Sequence, residues 1–320
     1  MEVADGDGTA SQAPTSEIPA VLSPPAAQRL ATRIGLSVPN DWWASASLLK
    51  SFEAAGFGYV QLHSPPASVL ADARLFRRYA AAQRKALESV SAGVVVHGPS
   101  SLVAGVPEGD RALEGLLAYA AEIGAEQVIY RARAFPDEPG SQDRLLSETR
   151  SLARLAARAE RLGVTIAIEN LCPVYPGPEL LCHTPMTLRT LVNRIASPSL
   201  GLCLDVGHAH VAAELKHTTI DHLMAGVLDA VVLFHVHDNL GARRHRTTPP
   251  GLDPLRLDLH LAPGRGRIDW AELSWRLAAH HAPMVLEVHP PNRPAVDELR
   301  RTATELLTRE ASAREPSRTA

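Results

Sequence analysis

Between residues 33 and 312, short apolar runs alternate with longer helical stretches eight times, a pattern that a parallel sheet covered by helices satisfies. The strand-like runs lie at 33–38, 59–63, 93–97, 127–131, 164–170, 200–206, 231–237 and 283–289. Helical patterns fall at 44–56, 68–90, 108–124, 141–162, 184–196, 217–229, 269–280 and 294–309. Within 148–162, Leu152, Leu155, Ala156 and Leu162 share one helical face. Asp41, Thr184 and Asp269 stand where helix N-caps belong. The near-continuous apolar character of the strands predicts burial on both faces. Eight β/α units also close a barrel, which takes roughly 250 residues and leaves room for a tail at each end of 320. The open doubly wound sheet is the main rival. It would be expected to carry GxGxxG after its first strand, where this chain reads GLSVPNDWW. The expected fold is a single (β/α)8 barrel over 31–310, with disordered tails at 1–30 and 311–320.

The ends of those strands carry the chemistry. YVQLH ends on His63, VVVHG on His97, TIAIEN on Glu169 and LGLCLDVGH on Asp205 and His208. VVLFHVHDN supplies His235, MVLEVH supplies Glu287, and DLHLAPGRG adds Asp258 and His260. One polar strand end means little, but a barrel brings the C-terminal ends of all its strands to one face. Glu169, Asp205 and Glu287 gathered there would repel one another unless protonated or bridged by a cation. With His235 they make an oxygen-rich set suited to Mn²⁺, Mg²⁺, Co²⁺ or Zn²⁺. His97, His208, Asp258 and His260 are candidates for a second metal or for substrate contacts. Asp258 and His260 could equally serve only to order their loop. His237 shares the face of His235 and is a candidate neighbour of the ligands. His280, His281 and His289 read as structural or exposed.

Composition excludes several classes. Hydrophobic residues make up 45% of the chain, enough for a large core. The net charge of −3 does not resemble the basic footprint of a nucleic-acid binder. Basic residues gather locally at Arg243-Arg244-His245-Arg246 and at Arg265-Gly266-Arg267, which suits a phosphorylated or carboxylated small substrate, or simply a solvated loop. Cys172, Cys182 and Cys203 form no CxxC pair, and with no basic leader or long apolar run the expectation is a cytoplasmic protein without disulfides or membrane contact. Self-association into a homo-oligomer is left open.

Two long Pro- and Gly-rich segments, 171–183 and 240–266, follow the fifth and seventh strands, and loops of that length are commonly functional or disordered. Trp42 and Trp43 follow the first strand, placed to stack on a sugar ring or to pack as a lid.

The motifs IEN (168–170), LDVGH (204–208), HVHDN (235–239), HLAPGRGRIDW (260–270) and LEVH (286–289) resemble those of the xylose isomerase-like barrel superfamily, which includes sugar isomerases, epimerases and endonuclease IV. The resemblance covers roughly 33–309. It implies Glu169, Asp205, His235 and Glu287 as metal ligands, with Asp238 following the metal histidine. In the isomerase branch, Glu169 and Glu287 would move a proton beside a carbonyl of a sugar, polyol or related hydroxycarbonyl, through a metal-stabilised enediolate. His208, Arg243, Arg265 and Trp42 would then contact substrate. In the endonuclease branch, a multinuclear metal cluster would hydrolyse a small phosphodiester, using His97, His208, Asp258 and His260 as well. That branch expects a histidine at the end of the fourth strand, where this chain has Tyr130 in QVIYRAR, with His63 as a further substitute. A barrel that binds ligand without catalysis is the third class.

Overall fold

The structure, a computed structural model, describes residues 30–39, 44–174, 177–242 and 257–308. Eight parallel strands close into a barrel: β1 (Ile34–Ser37), β2 (Tyr59–His63), β3 (Gly93–His97), β4 (Gln127–Tyr130), β5 (Thr165–Glu169), β6 (Leu200–Asp205), β7 (Val231–Val236) and β8 (Met284–Leu286). Closure comes from β1 pairing with β8 in the register Ile34↔Met284. The strands keep the bounds that their apolar runs predict, within a few residues at either end.

Period-two alternation sorts each strand into two faces. Val95, Ile129, Ala167, Cys203, Leu233 and Val285 form a buried cluster of their own, which is the barrel interior. Their strand neighbours, such as Val94, Val128, Ile166, Leu202 and Phe234, belong to the larger core shared with the helices. Two residues towards the C-terminal end from each interior residue stand His97, Arg131, Glu169, Asp205, His235 and Glu287. The alternation that buries the core therefore aims these six at the barrel mouth.

The helices are α1 (Ala46–Ala54), α2 (Ala67–Leu70), α3 (Ala73–Leu87), α4 (Pro107–Ile123), α5 (Ser141–Leu162), α6 (Pro185–Ile195), α7 (Val206–Leu215), α8 (Ile220–Met224), α9 (Trp270–Ala279) and α10 (Val296–Thr308). Leu152, Leu155 and Ala156 of α5 are buried as predicted, and Leu162 is partly buried against them. Two segments depart from expectation. The single helix over 68–90 is two, because Asp72 accepts from the amides of Arg74 (2.8 Å) and Leu75 (3.1 Å) and starts a second helix. The helix over 217–229 is replaced by α7 and the short α8. Asp205 accepts from the His208 amide at 2.8 Å and so launches α7 straight from the strand end. Asp269 caps α9 through the amides of Ala271 and Glu272. Thr184 occupies the cap position of α6 without a side-chain bond; its backbone carbonyl accepts from Thr187 N at 3.0 Å, and Pro185 fills the first helical position. Asp41 and both tails lie outside the described residues, except Leu30, which is buried in the core rather than part of a disordered tail. Among the described residues no helix is long and apolar enough to cross a membrane.

Candidate metal centre

Glu169, Asp205, His235 and Glu287 each offer one ligand atom, and those four atoms all lie within 4.8 Å of one another. His235 Nδ1 sits 2.9 Å from Glu169 Oε1, 3.4 Å from Glu287 Oε2 and 3.6 Å from Asp205 Oδ2. Two supporting residues determine how these groups present themselves. Gln61, buried on β2, accepts from His235 Nε2 at 2.8 Å and donates to Glu287 Oε1. A proton held on Nε2 leaves the Nδ1 lone pair facing the carboxylates, the tautomer a metal ligand needs. Asn170 then ties β5 to β6: its amide donates to Asp205 O at 3.0 Å and accepts from Asp205 N at 2.8 Å. Asp205 spends Oδ1 on the α7 cap, while Oδ2 is buried with no hydrogen-bond partner. A buried carboxylate oxygen without a donor is costly. Aimed at two glutamates and an imidazole, it fits a divalent cation.

The electrostatics point the same way. Burial works to raise the Glu169 pKa, yet Arg131, His235 and His97 hold it well below the usual carboxylate range. Glu287 is held low against burial by His235, His97 and His260. Burial opposes charge on His208, but Asp205 and Asp258 push its pKa up to about 10. His260 is pushed up to about 9 against burial, chiefly by Asp258. The carboxylates are thus held ionised and the imidazoles feel their charge, a mutual stabilisation that a bound cation would share in.

A second group adjoins the first. His208, His237, Asp258 and His260 also bring one ligand atom each within 4.8 Å. His208 donates Nδ1–H to Asn170 O (2.8 Å) and His260 donates Nδ1–H to Glu287 O (2.7 Å), so both turn Nε2 towards Asp258, at 3.5 and 3.1 Å. His237 stacks on His260 with ring centroids 4.0 Å apart, and its Nε2 lies 3.0 Å from Asp205 Oδ1. That packing depends on glycine at 207, where a Cβ would come within 2.1 Å of the His237 ring. His237 is therefore part of this second group and touches the first.

Asp238 serves the loop that carries Asp258 and His260. Its carboxylate accepts from the amides of Asn239, Gly264 and Ile268 and from Trp270 Nε1, which pins the HLAPGRGRIDW segment against β7. A Cβ at Gly266 would meet Asp238 Oδ1 at 2.1 Å, so the segment accepts only glycine there.

Tyr130 does not stand in for the expected histidine. It has the parity of Val128 and faces the helices, accepting from Ala104 N (2.9 Å) and donating to Glu148 Oε1 (3.2 Å). Burial, then Glu148, pushes its pKa up, so it is not an ionised ligand. The mouth position at the end of β4 belongs to Arg131, a residue the sequence reading passed over. Its Nε donates to Glu169 Oε2 at 3.1 Å. Burial opposes its charge, but the adjoining Glu169 carboxylate outweighs that and holds its pKa above the ordinary value. His97 is buried, with Nε2 3.6 Å from the same oxygen. His63 donates Nε2–H to Val38 O, and burial followed by His97 brings its pKa down to about 4.

A cavity of about 540 Å³ opens over β1–β4 and β8, with His63, His97, Arg131, Asp258, His260 and Glu287 in its wall. Glu169 is fully buried beneath it. Arg265 is exposed and does not line this cavity. Arg243 and Trp42 lie outside the described residues. His281 and His289 are exposed, and His280 bonds to Leu228 O. All three cysteines are free thiols.

The profile of the xylose isomerase-like TIM barrel family matches residues 49–305. The chain belongs to that family. Among solved structures, a D-tagatose 3-epimerase-like protein is similar with a TM-score of 0.63 at 19% identity, covering 86% of this chain and 97% of its own. The D-allulose 3-epimerase of Methylomonas sp., solved in complex with D-allulose, is similar with a TM-score of 0.63 at 15% identity, covering 87% and 96%. At these identities the likeness is one of fold. An uncharacterized protein of Sinorhizobium fredii is 27% identical over 171 residues, 52% of this chain and 48% of that protein. The chain spans less than half the length of the curated relatives it matches.

Proposed function

We propose that this family member is a divalent-metal-dependent isomerase or epimerase of a small sugar, polyol or related hydroxycarbonyl, working in the cytoplasm. The observation that carries the reading is the orphaned, buried Asp205 Oδ2 aimed into a ring with Glu169, Glu287 and His235. Glu169, Asp205, His235 and Glu287 would hold the ion, which when bound draws electron density from substrate oxygens and acidifies the neighbouring C–H. Glu287 lines the cavity and is the carboxylate that meets substrate. It takes the proton from the carbon beside the carbonyl, and the electron pair passes into the carbonyl system. Glu169 lies across the centre and is the partner carboxylate; a proton it takes up from water is the one returned to the carbon, and Glu287 gives up its own proton to water to reset the pair. Gln61 holds Glu287 and His235 in place for this exchange. Arg131 in the cavity wall contacts substrate oxygens, while His208 is buried outside that wall and acts on it through Asp258, 3.5 Å from its Nε2. The fold shared with an allulose-bound epimerase supports a sugar as the substrate class.

The test is deuterium incorporation from D₂O into a panel of ketoses by manganese-loaded protein, read by NMR. Exchange should occur with at least one ketose and should vanish in Glu287→Gln while manganese stays bound. Full exchange in that variant contradicts the proton-transfer role.

The second group, His208, His237, Asp258 and His260, favours one other reading, a hydrolase of small phosphodiesters that uses a second ion there. Zinc stoichiometry and cleavage of a chromogenic phosphodiester decide it. If His260→Ala changes neither, this reading loses its support.

A further inference from the structure

We propose that Arg131 takes the place of a metal ion at the His97–Glu169 corner and offers its outer face to an oxyanion of the substrate, a phosphate or a carboxylate. The inference rests on the carboxylate ring as the metal centre, not on which reaction it serves.

A cation between His97 and Glu169 would use His97 Nε2 and Glu169 Oε2, which lie 3.6 Å apart. His97 donates Nδ1–H to Gly98 O at 2.7 Å, so Nε2 is its acceptor nitrogen, turned to that spot. The third ligand would come from the mouth position of β4, and there the chain carries a cation instead of a donor. Arg131 Nε is 3.1 Å from Glu169 Oε2, with the bond nearly closed to solvent on the Glu169 side. Glu169 Oε1 remains for the first ion, since it faces His235. A guanidinium cannot lose its proton to make room, and a divalent ion beside it would meet like charge in a buried setting.

The guanidinium lies against one of the three clustered carboxylates and offsets part of their charge. Arg131 also lines the cavity, with its side chain 34% exposed. Its two terminal nitrogens make no hydrogen bond among the described residues. Such a fork, anchored at one nitrogen and open at the others, matches the paired oxygens of a phosphate or carboxylate. His63 beside it is neutral at ordinary pH and adds no competing charge. Arg293, the other arginine of the wall, is committed to the carbonyls of Ser37 and Val288.

The experiment compares wild type with Arg131→His, Arg131→Met and Arg131→Lys, each checked for an unchanged thermal melt. Zinc is titrated calorimetrically and counted by elemental analysis. Arg131→His should take up one more zinc per chain than wild type, and Arg131→Lys none. The added zinc should persist in an Asp205→Asn background, which separates this corner from the carboxylate ring should that ring prove not to bind metal. Inorganic phosphate and acetate are then titrated into manganese-loaded protein. Arg131→Met should weaken one of the two by roughly tenfold or more, and Arg131→Lys should restore part of it. Whichever anion responds identifies the substrate group. Equal zinc counts in wild type and Arg131→His, or anion binding indifferent to Arg131→Met, would overturn the proposal.

Discussion

The two halves of the barrel mouth are built from the same kind of strand end but carry opposite chemistry. From β5 to β8 the inward positions are Glu169, Asp205, His235 and Glu287, three of them acidic, packed to within 4.8 Å. From β2 to β4 they are Gln61, His63, His97 and Arg131, which bring no negative charge and line or support the open cavity. Burial alone does not separate them, since Gln61 is as enclosed as Glu169 and Asp205, and His97 is more enclosed than Glu287. The difference lies in charge. The acidic half gathers three carboxylates around one imidazole, a set that suits a cation. The other half supplies donors, and one fixed positive charge that leans across onto Glu169. The mouth is thereby divided into an acidic side whose four ligand atoms could hold an ion and a side that lines the open cavity.

Breaking the acidic half should have the largest effects. Glu287→Gln should lower turnover on any ketose that exchanges by about 10²–10⁴-fold with metal still bound, measured as deuterium exchange. Asp205→Asn keeps a side chain able to cap α7 but gives up the orphaned anionic oxygen. It should weaken manganese binding, measured calorimetrically, by more than the ~10–100-fold typical of losing a supporting residue. Chelation should abolish exchange and lower the melting temperature, and manganese should restore both. At an ion concentration of 100 times Kd the stabilisation amounts to about 2.7 kcal/mol.

Perturbing the other half should do less. Gln61→Leu removes the acceptor that sets the His235 tautomer, so manganese affinity should fall about 10–100-fold with the fold intact. Tyr130→Phe leaves the Ala104 amide without its acceptor and should cost about 1–3 kcal/mol in denaturant unfolding, with metal content unchanged. A fall in metal content in that variant would return Tyr130 to the centre. The smallest effect concerns pH. The folded-state pKa of His63 is depressed from 6.5 to about 4, so the unfolded chain binds more protons between those values and stability is lost as pH falls through that window. His63→Gln, able to keep the bond to Val38 O, should flatten that part of the stability–pH curve.

Much of this was legible in the chain. The eight apolar runs carry the strand bounds because a parallel barrel buries both faces of every strand, leaving little ambiguity in where each begins. The four residues of the acidic ring stand out for the same reason, as charges ending otherwise apolar runs. What was missed follows from parity. Counting in twos from Ile129, an interior residue, leads to Arg131. Tyr130, which stands where the endonuclease branch expects a histidine and would be a poor ligand unless ionised, belongs with Val128 on the helix side. Gln61 escaped notice because an amide inside YVQLH resembles an ordinary polar interruption, and only its contacts with His235 and Glu287 give it a role. The start of α7 at Val206 was hidden because Asp205 serves both as strand end and as helix cap, and its two oxygens divide those duties.

The most direct test of the metal centre is anomalous diffraction from crystals soaked in manganese chloride. The four-residue arrangement predicts one strong peak enclosed by Glu169, Asp205, His235 and Glu287, absent from Asp205→Asn crystals. A peak between His97 and Arg131, or no ordered manganese near the carboxylates, would contradict it.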